Sequence, residues 1–336
     1  MIKTIPPGIW RIRLERRIRK RIRKYGLKDI DPAFRSVRFE ITDDPITPWD
    51  LQIERREGAI VISWRAEALE GGKAFEAASN RSSPYMYYFA KAGPKAVRIV
   101  CDISDGNLPS CADIGFSSFL PDRGLVPDLY FFQSGGYAEQ RRQVAEHSVP
   151  WSERDDQIVW RGGLNNTGFA FGRPDMTENG IIAQRLRLAY ACRGTDIDVK
   201  FVAGFDATPI LQAEGLMGDR VAAETWLDRK YALDIDGHSN AWDNLYHRLL
   251  FGCCVLKVES QPGFRQWYYD KLKPYEHYVP IKADLSDLHQ QVDWARSHPA
   301  EAEAIAHQGS ELAHSMTFES EMAYAAEEVR KRCRNR

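Results

Sequence analysis

The sequence predicts an α/β protein whose second half holds a parallel sheet, on three observations. Residues 231–260, YALDIDGHSNAWDNLYHRLLFGCCVLKVES, read as one strand–turn–helix–strand unit. Strand-like and helix-like segments alternate from residue 158 to residue 281. The chain has 336 residues, 43% apolar and 28% charged, which suits about two domains with ample core.

The central unit begins with Tyr231-Ala-Leu-Asp-Ile, an apolar strand. Asp236-Gly-His-Ser-Asn240 follows as a polar turn. Trp242–Phe251 has helical spacing, with Trp242, Leu245, Leu249 and Leu250 on one side, and Gly252 ends it. Cys253–Val258 forms the second strand, closed by Glu259-Ser260. Ligands of such units lie beyond the carboxyl ends of the strands. Both polar clusters, Asp236–Asn240 and Glu259-Ser260, fall there, which suggests a nucleotide site. The same turn also reads as an ordinary N-cap by Ser239 or Asn240.

Composition narrows the function. The formal net charge of -1 gives no global field for nucleic acid. The six cysteines include no C-x-x-C pair, so reduced thiols in the cytoplasm are expected. Neither an apolar run of transmembrane length nor a secretory leader is expected. Residues 1–25 carry ten Lys or Arg and one acid, Glu15. Trp10, Leu14, Ile18 and Ile22 make an apolar stripe there. Such a helix suits an anionic membrane surface, placing the protein at the inner face of the cytoplasmic membrane. It equally suits docking on its own domain. RNA fits less well, because no aromatic platform accompanies the charges.

Along the chain, Val37–Ile41 and Ala59–Trp64 read as strands, and a short helix is expected within 71–95. Ala96–Cys101 is a buried strand running into Asp102-Ile-Ser-Asp105-Gly106. Asp105 is either a turn former or a general base at a strand end. Pro127–Phe132 reads as a strand and 134–150 as a linker. Ile158-Val-Trp160 leads into Arg161-Gly162-Gly163-Leu-Asn-Asn-Thr-Gly168, whose N–H and guanidinium groups suit phosphate oxygens. Neither standard phosphate-loop fingerprint matches it. Ile181–Cys192 reads as a helix with Arg185 and Arg187 exposed. Asp198–Val202 is a strand, 204–230 a loop and helix, and 264–273 a helix. His277–Ile281 is a strand, and helices follow at 288–295, 301–307 and 319–329.

Three segments in fixed order carry a resemblance. They are Ile158-Val-Trp160-Arg161-Gly162 with Thr167-Gly168, then Lys230-Tyr-Ala-Leu-Asp-Ile-Asp236-Gly237, then Leu272-Lys-Pro274 with His277-Tyr-Val-Pro280 and Asp284-Leu285. From about residue 96 to about 325 the chain resembles glycosyltransferase family 90. That group includes protein O-glucosyltransferases, fungal capsule xylosyltransferases and bacterial lipopolysaccharide-modifying enzymes. The Ser-Asn-Ala-Trp version of the helix start looks like the bacterial branch.

The resemblance implies a GT-B fold: two Rossmann-like lobes with an interlobe cleft and C-terminal helices. The basic helix would occupy 1–30, the acceptor-side lobe 31–150 and the nucleotide-sugar lobe 151–336, its last helices reaching back to the first lobe. It implies a UDP-sugar donor, a glycan or lipid-linked glycan acceptor such as lipopolysaccharide, inversion, and neither metal nor cofactor. Protein O-glycosylation and a catalytically silent nucleotide-sugar binder are the alternatives. Asp105 matches the family's basic aspartate, with Asp102 and Ser104 replacing the Asn and Arg of its motif. Asp102 is the fallback base. An arginine expected on the helix after Asp236-Gly237 is missing. Arg161, Arg248, Lys257 and the N–H groups near Ser239, Asn240 and Ala241 are its candidate substitutes. Glu259 would hold the ribose, and Trp242 or Tyr231 would wall a site that also includes Trp160, Gly162 and Ser260.

Overall fold

A computed structural model describes residues 7–43, 46–70, 72–147, 149–164 and 184–333. The chain divides into two compact units, 1–133 with 318–336, and 134–317.

The first unit is built on a six-stranded sheet: β1 (Val37–Ile41), β2 (Asp50–Arg56), β3 (Ala59–Trp64), β4 (Arg98–Asp102), β5 (Ile114–Gly115) and β6 (Gly124–Leu125), in the order β1-β3-β2-β4-β5-β6. β2 runs antiparallel to both β3 and β4, while the other pairings are parallel. The sheet is therefore mixed and not the all-parallel sheet that a Rossmann-like lobe implies. β2 escapes the sequence pattern because polar Asp50, Gln52 and Glu54 are buried alongside Leu51 and Ile53. Glu57 and Gly58 join it to β3 with φ of 52° and 73°, the two positive values a tight hairpin turn requires.

Helix α1 (Pro7–Lys24) lies on α3 (Gly72–Ala92), and α11 (Phe318–Arg332) packs on α3 as well. The apolar stripe of α1 is spent on this packing, since Leu14, Ile18 and Ile22 are buried. The stripe that suggested a membrane face is thus a docking face within the unit. Small residues on α3 allow the close approach: Arg17 donates to the Ser79 hydroxyl at 2.9 Å and Arg21 to the Ser83 hydroxyl at 3.0 Å. Residues 127–132 are not a strand. The Asp128 carboxylate accepts from the Tyr130 and Phe131 N–H groups at 2.8 and 2.9 Å, which starts α4 (Leu129–Gln133).

The second unit holds a parallel pair, β7 (Val159–Gly163) with β8 (Asp198–Ala203), and a parallel sheet of β9 (Tyr231–Asp234), β10 (Cys254–Val258) and β11 (Val279–Ile281), in the order β11-β10-β9. Helix α8 (Asp243–Leu250) joins β9 to β10, and Gly252 after it has φ of 69°. Residues 134–150 are no linker: α5 (Ala138–Glu146) places Arg141 so that it donates to the carbonyls of Ala313, His314 and Met316. Residues 264–273 form only a 3-10 turn at Tyr269–Lys271. α6 (Gln184–Ala191), α7 (Thr208–Ala213), α9 (Leu288–Ser297) and α10 (Pro299–Ser315) complete the unit. The Gly-rich segment from residue 165 to 168 lies outside the described residues. Among the described residues no helix is long and apolar enough to cross a membrane.

Candidate functional site

Parallel pairing of β9 with β10 sets Asp234 in register with Lys257. The Lys257 ammonium donates to Asp234 Oδ2 at 3.2 Å and lies 4.7 Å from the Tyr269 ring centroid. Burial depresses this lysine, but Asp234, Asp236 and the bond to Asp234 together hold it above its ordinary value. One step beyond the strand, Asp236 is buried, and neither of its carboxylate oxygens has a well-formed hydrogen bond. Burial raises its pKa to about 7, against the opposing pull of Lys257 and the Ser260 hydroxyl.

The turn continues with the same deficit. The buried Ser239 hydroxyl and the Asn240 side-chain NH2 are also without partners among the described residues. Neither residue caps α8 directly. Asn240 Oδ1 accepts from the Trp242 N–H at 2.8 Å, and the Asn240 carbonyl accepts from Gly237 N–H at 3.2 Å. Within this turn Trp242 has φ 53° and ψ -123°, a strained value for a residue with a side chain. Native proteins rarely bury polar groups unpaired, and each such group asks for an explanation. Four such atoms on one turn fit a polar ligand.

The candidate cations are not equivalent. Arg161 is committed to β8: it donates to Asp198 Oδ2 at 2.6 Å, to the Asp198 carbonyl at 2.9 Å and to the Asp219 carbonyl at 3.1 Å. Arg248 is buried with its guanidinium 3.6 Å from the Trp226 ring centroid, and burial lowers its pKa to about 10. One of its terminal nitrogens has no hydrogen-bond partner. Arg185 of α6, expected on the surface, is half-buried and does reach the turn. It donates to the carbonyls of Asp236 at 2.7 Å, Ile235 at 3.1 Å and Gly163 at 2.9 Å, and sits over the Trp160 ring. Burial lowers it to about 10. Arg187 is likewise half-buried. An apolar-face reading of α6 missed Arg185 because its partners are backbone carbonyls, which no side-chain pattern announces.

The remaining predicted residues separate into two groups. Gly162 is a packing glycine, for an added Cβ would lie 2.5 Å from the Trp160 ring and 3.3 Å from Arg185. Trp160 is buried edge-on to Phe201. Tyr231 is core: it is buried and its hydroxyl donates to the Ala295 carbonyl at 3.2 Å. Glu259 is exposed at the end of β10, with its N–H bonded to Ile281 and its carbonyl accepting from Gln184. The Ser260 hydroxyl accepts from the Phe264 N–H at 2.8 Å. His277 accepts from the Lys273 N–H at 3.0 Å through Nδ1, so the Lys-Pro…His-Tyr-Val-Pro run fixes the turn into β11.

The first unit offers a second carboxylate cluster after β4. Asp102 is buried and fully engaged, accepting from the Ser104 N–H and hydroxyl at 2.8 and 2.6 Å and from Arg123 at 3.1 Å. Burial lifts it to about 6 even so. Asp105 is different: its side chain stays 29% exposed and pairs with Arg81 of α3, which also donates to the Ile103 carbonyl. Gly106, at φ 87°, lets this corner form, since a Cβ there would lie 2.2 Å from the Ser117 carbonyl. Among the described residues no group of three His, Cys, Asp or Glu side chains could hold a metal.

Comparison with known proteins agrees in kind. A family model described as glycosyl transferase family 90 matches residues 135–327. Protein O-glucosyltransferase 2 of Danio rerio is 33% identical over 160 residues, 47% of this chain and 30% of that protein. Protein O-glucosyltransferase 3 of Rattus norvegicus is 40% identical over 87 residues, 26% of this chain and 16% of that protein. Uncharacterized protein 035R of Invertebrate iridescent virus 3 is 29% identical over 171 residues, 46% of this chain and 14% of that protein. The matched stretch spans less than a third of each of these relatives.

Proposed function

The chain belongs to glycosyltransferase family 90, and from that premise we propose that it moves a sugar from a UDP-sugar to an acceptor hydroxyl with inversion and without a metal. The observation that carries the reading is the partnerless polar turn at Asp236, Ser239 and Asn240. These are donors and acceptors held ready for a hydroxyl- and phosphate-rich ligand.

In this reading the second unit binds the donor and the first supplies the base, the GT-B division of labour. Asp105 takes the proton as the acceptor oxygen attacks the anomeric carbon. The new C–O bond forms as the bond from that carbon to the phosphate oxygen breaks, and UDP leaves with the electron pair. Arg81 holds the Asp105 carboxylate in place through the ion pair. Asp102 is unsuited to the same role, because its acceptor capacity is spent on Ser104 and Arg123. Glu259, exposed at the end of β10, suits the ribose hydroxyls. Backbone N–H groups opening α8 suit the diphosphate. Arg185 holds the β7 and β9 ends together, and Lys257 keeps Asp236 company from below the turn.

The acceptor is a glycan hydroxyl, such as that of a lipopolysaccharide precursor. The names of the glucosyltransferase relatives favour a second reading, transfer to a protein hydroxyl. A panel of UDP-sugars tests the activity through donor hydrolysis and transfer to glycan or peptide acceptors. At least one donor should turn over, and Asp105→Ala should lose about 10²–10⁴-fold in rate while still binding UDP. Donor binding without turnover by the wild type would leave a nucleotide-sugar binder instead.

A further inference from the structure

Helix α1 carries two stripes half a turn apart. One is Trp10, Leu14, Ile18 and Ile22, covered by α3, with Trp10 edge-on to Phe75 at 4.7 Å between centroids. Arg17 and Arg21 flank this contact and are tied to Glu76, Ser79, Asn80 and Ser83. The helix is clamped and cannot roll that stripe outward. At helical spacing the opposite stripe is Ile9, Ile12, Arg13, Arg16, Lys20 and Arg23. All six are exposed, Ile9 by 43% and Ile12 by 51%.

This outer stripe contains no acid. Glu15, the one acid of α1, lies to the side and pairs with Arg11. Arg16, Lys20 and Arg23 make no ion pair among the described residues, although the whole chain has 47 acidic residues for 46 basic ones. Cations left uncompensated on one rigid line, in a chain that balances its charge elsewhere, mark a surface for an anionic partner.

We propose that the outer face of α1 lies flat on an anionic lipid surface, its cations among the headgroups and Ile9 and Ile12 in the acyl boundary. The face is about 27 Å long for 18 residues. Two exposed isoleucines at one end suit an apolar layer and have no use on a phosphate backbone. The nearby aromatic rings are already occupied, Trp10 by Phe75 and Tyr25 by Phe132, so none is free to stack on bases. The surface is defined by charge and shape and does not depend on the transfer chemistry.

The test uses the full chain, because deleting α1 would uncover α3. Binding is measured to phosphatidylcholine vesicles with and without phosphatidylserine, across a salt series. Wild type should bind only the phosphatidylserine vesicles and release steeply as salt rises. The combined Arg16→Gln, Lys20→Gln and Arg23→Gln variant should lose about 100-fold in affinity, at about fivefold per charge, with its melting temperature unchanged. Ile9→Ser with Ile12→Ser should weaken binding while leaving the salt dependence as it was. Equal binding to neutral vesicles, no binding to anionic ones, or full retention by the triple variant would overturn the proposal. So would tighter binding to single-stranded RNA than to the vesicles, lost in the same triple variant; that result would make the stripe a nucleic-acid surface.

Discussion

Two strand ends in this protein each carry a pair of aspartates two or three residues apart, and their surroundings differ. After β4, Asp102 is buried with three hydrogen bonds, one of them from an arginine, while Asp105 stands at the edge with Arg81. At the end of β9, Asp234 is bonded to Lys257, while Asp236 is buried with no well-formed hydrogen bond among the described residues. At β4 the first aspartate supports the fold and the second has capacity to spare; at β9 the first is tied to Lys257 through one oxygen only, and the second has both oxygens to spare. At β4 the spare capacity faces solvent and suits proton transfer. At β9 it is buried, and a buried carboxylate without donors costs stability that a ligand can restore.

The widest separation between the members of a pair should come from the β4 end. Asp105→Ala should abolish most turnover while leaving the denaturation midpoint near wild type. Asp102→Ala should instead cost about 3–5 kcal/mol in urea unfolding, because it leaves Arg123, with a side chain 5% exposed, buried without its carboxylate. Equal loss of activity in both variants at full stability would remove the distinction.

A reversal of sign is expected at β9. Asp236→Asn removes a carboxylate whose burial outweighs the pull of Lys257, so the unliganded protein should be as stable as wild type or more so. Its affinity for UDP should nevertheless fall by about 10- to 150-fold, the roughly 1.5–3 kcal/mol of a lost hydrogen bond to a charged group. The pH dependence sharpens this. Asp236 titrates at about 7 in the fold and near 3.8 in the unfolded chain, so the fold holds a proton the unfolded chain has released. Stability from this group therefore falls as pH rises from about 4 to about 7 and is level above. Asp102 acts in the same direction up to about 6, and buried His247, depressed to about 4, acts against both. The difference in unfolding free energy between wild type and Asp236→Asn, followed across that range, isolates the single group.

Smaller effects should fall on residues that the strand ends use only for support. Gly162→Ala should cost about 1–3 kcal/mol by overpacking against Trp160. Arg161→Gln should lose part of its ties to Asp198 and Asp219, lowering the melting temperature, but change UDP affinity less than about threefold, since one tenfold is 1.4 kcal/mol. A large loss of UDP affinity with unchanged stability would return Arg161 to the ligand.

Much of the second unit could be read from the chain, because β9, α8 and β10 each express one period cleanly and Gly252 marks the break. The family also showed itself there, through a run whose histidine turns out to brace the approach to β11. The first unit was harder. β2 hides behind three buried polar residues, α4 is started by one capping aspartate inside an apolar run, and the apolar stripe of α1 suits a membrane or its own domain until contact with α3 decides between them. At the site, the sequence could place Asp236, Ser239 and Asn240 beside one another. It could not reveal that their side chains lack well-formed hydrogen bonds, nor that Arg185 would reach the Asp236 carbonyl from another helix.

The most direct measurement is the position of UDP in a crystal of the complex. The account predicts UDP against the β9–α8 turn, with Asp236, the Ser239 hydroxyl and the Asn240 amide each acquiring a hydrogen-bond partner from the nucleotide or its bound water. UDP seated elsewhere, with those groups still unpartnered, would contradict it.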